Sequence, residues 1–92
     1  PRPEEFVIVR RSGGHRRNSL VDSPGVSIEC WAATETRARE MSDEVSDLMV
    51  WLHHRGFAYG VESVVEESRR SDPDPQSESP RWFASYTLIT HT

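Results

Sequence analysis

The chain has 92 residues, 35% of them hydrophobic and 28% charged, with a formal net charge of -4. That is room for one domain with one small core, since a chain of this size buries only about 60 to 65 per cent of its unfolded surface, and oligomerisation is the natural remedy. The acidic balance argues against a nucleic-acid surface as the main business of the protein, a lone cysteine excludes an intrachain disulfide, and no apolar run approaches the length of a membrane span.

Residues 1–5 make a rigid, polar opening that cannot be a helix interior. It begins without methionine, so a preceding native segment is expected; no signal-peptide pattern opens the chain, which places it in a cytoplasm or in something assembled there. Residues 6–11 are a compact β-run, Phe6, Ile8 and Arg10 alternating with Val7, Val9 and Arg11. Both faces are apolar until the arginines, so this strand is expected to be covered on both sides. Residues 12–24 hold Gly13, Gly14, Asn18, Asp22, Ser23 and Pro24, the composition of a long exposed connection. It is either an ordered binding element or a disordered tip, and Arg10, Arg11, Arg16 and Arg17 form a basic cluster around it.

A strand over 26–33 follows, with Val26, Ile28, Cys30 and Ala32 on one face and Ser27, Glu29, Trp31 and Ala33 on the other. At Thr34 the period changes. Ala38, Met41, Val45, Leu48, Met49 and Leu52 recur at three- and four-residue intervals, which makes residues 34–55 one amphipathic helix whose stripe meets the strand's apolar face. Thr34 caps its first turn, Glu35 suits the positive end of the dipole, His53, His54 and Arg55 suit the negative end, and Gly56 is expected to supply a left-handed residue after it. The outer face, with Arg37, Arg39, Glu40, Asp43, Glu44 and Asp47, is read as solvated. Cys30 is read as a small buried hydrophobe.

A third strand is expected over 57–66, a long exposed loop with three prolines over 67–80, and a last strand over 81–92. The order β-β-α-β-β predicts an α+β fold: a four-stranded mixed sheet with one long helix packed across one face, the two strands flanking the helix parallel and the outer pairs hairpins. The opposite sheet face, bearing Trp31, is expected to need a partner.

Reactive constellations are mostly lacking. His53 and His54 are helix neighbours about 100 degrees apart without a second ligand pair, so the dipole explains them better than a metal. Asp72 and Asp74 are the minimum for a hard cation but are separated by proline, and loop punctuation accounts for them. Gly13 and Gly14 have neither Walker spacing nor a following helix. No cofactor set, metal set or nucleophile arrangement emerges, and the chain is read as no enzyme.

The succession of segments carries a resemblance. Residues 1–14, with Pro1, Arg2, Pro3 and then Phe6 to Gly14, residues 26–35, the Asp72-Pro73-Asp74 triplet and Pro80-Arg81-Trp82 opening the last strand, taken in this order, resemble the tail terminator proteins of long-tailed phages that infect actinobacteria. The resemblance implies a non-enzymatic virion protein forming a hexameric ring at the head-proximal end of the tail tube. Its partners would be the tail tube protein and the head-completion proteins of the neck, with DNA passing transiently through the lumen and no membrane involved. An N-terminal segment before the first strand is usual in that family. On this reading acidic residues of the helix or of 66–74 approach the lumen, while the arginine loop and the proline loop reach axial neighbours. Interface candidates are Arg10, Arg11, Arg16, Arg17, Trp31, Asp72, Asp74 and Arg81; for Arg10 and Arg11, pairing across a subunit boundary stands beside simple protection of an edge strand. Another neck or tail-completion protein, or a small bacterial nucleic-acid-binding module, is the alternative.

Overall fold

The computed structural model describes residues 4–16 and 21–91. Pro1, Arg2 and Pro3, the loop residues Arg17, Asn18, Ser19 and Leu20, and the terminal Thr92 lie outside the described residues. The elements run β1 (Phe6–Arg16), β2 (Val21–Trp31), α1 (Glu35–Arg55), a 3-10 turn (Gly56–Tyr59), β3 (Val61–Ser71) and β4 (Arg81–His91).

The fold is α+β, with one four-stranded sheet and one long helix packed on it. Its strand order is β1-β2-β4-β3, and every pairing is antiparallel. The expected mixed sheet is thereby corrected. The strands flanking the helix, β2 and β3, do run in the same direction, but β4 lies between them and pairs with both. An apolar pattern on both faces suits β4 to that central place: Ala84 and Tyr86 are buried on the helix side, while Phe83 and Ile89 are half-buried on the other.

The core lies between the sheet and α1 and consists of Ile28, Cys30, Ala32, Ala38, Met41, Ala84 and Tyr86, with Val26, Val45, Met49, Val64, Trp82 and Leu88 packed against it. Cys30 is only 1% exposed and burial pushes its thiol up, so it behaves as the small hydrophobe its position suggests. Thr34 caps the helix, its hydroxyl oxygen accepting the Arg37 amide at 3.1 Å. Ahead of β1, the Glu5 carboxylate accepts from Arg37 Nε at 2.7 Å and ties that end of the sheet to the first turns of α1.

Further expectations change. Both strands of the first hairpin are longer than expected: β1 reaches Arg16 and β2 starts at Val21, so much of the expected 12–24 loop is ladder, with Gly13 opposite Gly25 and His15 opposite Ser23. Gly56 is not left-handed; at φ -80° it continues helically into the 3-10 turn, and Gly60 at φ 92° makes the reversal. Hence 57–59 is turn, not strand, and β3 instead runs on to Ser71, so residues 67–71 of the expected 67–80 loop are ladder. A Cβ on Gly60 would lie 3.0 Å from the His91 carbonyl oxygen, so space as well as backbone conformation favours glycine there. Finally, Leu48 is 65% exposed instead of joining the inward stripe. The helix lies mainly over β3 and β4, and its Leu48 flank overhangs the sheet on the β1 side, where Val7 and Val9 are exposed too. The first strand is accordingly a sheet edge and is not covered on both sides.

Candidate functional site

Two neighbouring glutamates on β3 break the strand's alternation, and the sheet accommodates them with a bulge between Glu66 and Ser68. The bulge turns both Glu66 and Arg69 toward the helix. The Arg69 guanidinium then reaches Asp43 at 2.7 Å, donates to the Ser42 hydroxyl at 3.3 Å and lies 3.5 Å from Glu66. Ser42 is almost fully buried, so this bond satisfies a group that water does not reach.

Beside that network, between α1 and β3, opens a cleft of about 220 Å³ lined by Ser46, Met49, Val50, His53, His54, Val64, Glu66 and Tyr86. Glu66 Oε1 accepts from the Ser46 hydroxyl at 2.8 Å and from the Tyr86 hydroxyl at 3.1 Å, joining helix, edge strand and central strand. His53 Nδ1 accepts the Val64 amide at 3.0 Å, which places that ring's proton on Nε2 and closes one backbone donor of β3. These polar groups serve one another. Periodicity did not reveal the cleft, because the bulge that forms it has no simple sequence mark; the adjacent Glu66 and Glu67 were the one available sign.

Burial, and then the Glu66 carboxylate beside it, push the Tyr86 phenol up to about 12. Because the folded value is raised, the folded state favours the neutral phenol: this stabilisation is complete below the ordinary tyrosine value of about 10 and is lost as pH rises through about 12. The chain has two tyrosines, so in a Tyr59→Phe variant an ultraviolet absorbance titration sees Tyr86 alone. A midpoint well above 10, with loss of near-ultraviolet circular dichroism over the same range, is the expected outcome; ionisation at about 10 with the fold retained contradicts it.

The residues singled out in the sequence fall into separate places. Trp31, Asp72 and Arg81 come together at one end of the sheet: Arg81 Nε donates to the Asp72 carbonyl at 2.7 Å, its Nη2 lies 3.2 Å from the Asp72 carboxylate, and its guanidinium covers the Trp31 ring at 5.1 Å. Phe6 stacks against Trp31 with centroids 5.2 Å apart. Trp31 is thus 9% exposed, buried by its own chain. Asp74 stands apart. Its carboxylate accepts from the Ser77 amide at 3.0 Å and the Ser77 hydroxyl at 2.5 Å, and these bonds hold its carboxyl below the usual range, as in a turn-building aspartate. Among the described residues no group of three or more His, Cys, Asp or Glu is placed to hold a metal ion.

Arg10 is exposed on the face away from the helix, 3.8 Å from Glu29 of β2, and Arg11 lies on the helix face. Arg16 ends β1 opposite Asp22. Arg17 lies outside the described residues.

Exposed large apolar side chains surround these groups: Val7 and Val9 on β1, Leu48, Val50 and Trp51 on α1, Phe57 and Tyr59 on the 3-10 turn and Val65 on β3. No helix among the described residues is long and apolar enough to cross a membrane. No protein-family model matches the chain, and no curated protein matches it at a significant level.

Proposed function

We propose that this chain is a structural virion protein, a tail terminator of a long-tailed actinobacteriophage. It closes into a homo-oligomeric ring, a hexamer on the resemblance, at the head-proximal end of the tail tube. There it ends tube polymerisation and offers the neck proteins a docking surface, while DNA passes through its lumen. The observation that carries the reading is the pair of outer strands, β1 and β3, each joined to a single neighbouring strand among the described residues, with exposed Val7, Val9, Val50 and Val65 beside them. Long edges flanked by apolar side chains invite association, and a ring is the assembly that leaves no edge over.

The net charge of -4 suits a conduit. Acidic groups facing a lumen repel the duplex over a screening length of about 8 to 10 Å, so DNA slides without sticking. A nucleic-acid-binding module would behave oppositely, with tight DNA binding that weakens steeply with salt.

Reversing Arg16 and Arg17 to glutamate tests the assignment of the first hairpin to axial contacts. The variant is expected to keep its far-ultraviolet circular dichroism and to lower head-to-tail joining in an in vitro assembly assay. Unimpaired joining overturns that assignment. Another neck or tail-completion protein remains the second reading, and it separates from the first by position in the virion.

A further inference from the structure

We propose that successive copies of the chain join edge to edge, β1 of one copy lying antiparallel against β3 of the next. The proposal rests on the ring-forming reading above and specifies its subunit contact.

Strand direction comes first. Three antiparallel steps separate β1 from β3, so the two edges of one sheet run in opposite directions. A copy displaced sideways without being turned over therefore sets its β1 antiparallel to the neighbour's β3. That contact is heterologous, and repeating it gives a ring if the rotation closes.

Charge then selects this pairing over the alternatives. Both edge strands are 11 residues long, with Arg11 at the centre of β1 and Glu66 at the centre of β3. Centred on each other, they bring Arg11 opposite Glu66, both on the helix side of the sheet, and Arg10 beside Glu67. A two-fold pairing of β1 with itself would oppose Arg11 to Arg11, and one of β3 with itself Glu66 to Glu66. Like charges directly opposed destabilise a strand pair, whereas opposite charges support it. The Val64 amide is already held by His53, so the pairing engages residues 66–71 of β3, with Glu67 as the extra residue of the bulge, against residues 7–11 of β1.

Apolar cover points the same way. Val7 and Val9 face the helix side of β1, where Val9 is 63% exposed because α1 lies mainly over β3 and β4. A neighbour's β1 set against β3 in this register brings its Val9 beside Arg69 and its Val7 beside Ser71, under the outer flank of α1 near Ser42 and Asp43, and so takes both out of solvent.

Two measurements on the 92-residue chain test this. In a Cys30→Ala background, Val7→Cys and Ser71→Cys are introduced together. Within one copy these positions stand at opposite edges, three strand spacings or about 14 Å apart, beyond the reach of a disulfide, so any bond formed joins two copies. Oxidation is expected to give a ladder of covalent oligomers beyond the dimer. In parallel, Arg10→Glu and Glu67→Arg are each expected to weaken self-association in sedimentation velocity about tenfold, and the double variant to restore it. If the unmodified chain assembles but no ladder forms and neither single reversal matters, the edge pairing is wrong and the ring reading survives. A product that stops at the dimer also overturns head-to-tail pairing. A chain that stays monomeric at every concentration overturns both.

Discussion

Replacing Tyr86 by alanine is expected to lower the free energy of unfolding by about 3 to 5 kcal/mol, the range found for removing a buried aromatic side chain. Tyr86 is 1% exposed at the middle of the central strand, and its ring is the largest side chain fully enclosed between sheet and helix. Alanine there loses the transfer energy of the ring and leaves a void that β4, paired on both sides, cannot collapse to fill. Since small domains hold only about 5 to 15 kcal/mol in total, such a loss brings this one close to unfolding. Tyr86→Phe isolates the hydroxyl, which bonds Glu66 at 3.1 Å, and is expected to cost about 1 kcal/mol. Urea denaturation of both variants checks the two values. An alanine variant within about 1 kcal/mol of the parent would mean that the sheet-helix interface is not the stability core.

The second large effect belongs to Trp31, on the face of the sheet that has no helix. Its register places it opposite Phe6 of β1 and Arg81 of β4, and these two neighbours enclose it, one by ring stacking and the other by its guanidinium. Aromatic pairing is worth about 0.5 to 1.5 kcal/mol beyond area and the cation over the ring about 0.5 to 1 more, so Trp31→Ala is expected to cost about 3 kcal/mol or somewhat more. Trp31→Phe, which keeps the stack and loses indole area, should cost clearly less. Arg81 would also lose the surface on which it lies, while its bonds to Asp72 and the backbone ladder still hold that end of β4. An effect below about 1 kcal/mol for Trp31→Ala would show that this row does not close the open face.

The strand-helix unit was legible in the sequence because two independent signals coincide there. Alternation over 26–33 and the helical recurrence from Ala38 agree with the Thr34 cap and the acidic and basic ends, and α1 begins and ends where those marks stand, while β2 closes at Trp31, two residues earlier than the alternation suggests. Strand order was not legible. A helix joining two strands suggests that they are neighbours, but only the three-dimensional sheet tells that β4 inserts between β2 and β3. Leu48 shows a related limit. Helical period assigns it to the inward stripe, yet whether the sheet extends beneath it depends on the lateral offset of α1, which periodicity does not encode.

The candidate surfaces divide in the same way. Arg10 and Arg11 could be read as edge or boundary charges because they interrupt an apolar run, and they do lie on an edge strand. Asp72, Arg81 and Trp31 stand far apart in the sequence, and the register of the strands is what gathers them. The cleft beside β3 has no simple mark in the sequence pattern because it depends on the bulge at Glu66, which redirects Arg69 by one position and leaves Glu66 between Ser46 and Tyr86.

Electron microscopy of the purified chain, alone and mixed with tail tubes of a long-tailed actinobacteriophage, tests the central claim most directly. Rings with an opening wide enough for duplex DNA are expected, with added density on one end of each tube, which then stops growing. Tubes that keep both ends bare and elongate unchanged in the presence of the protein would contradict it.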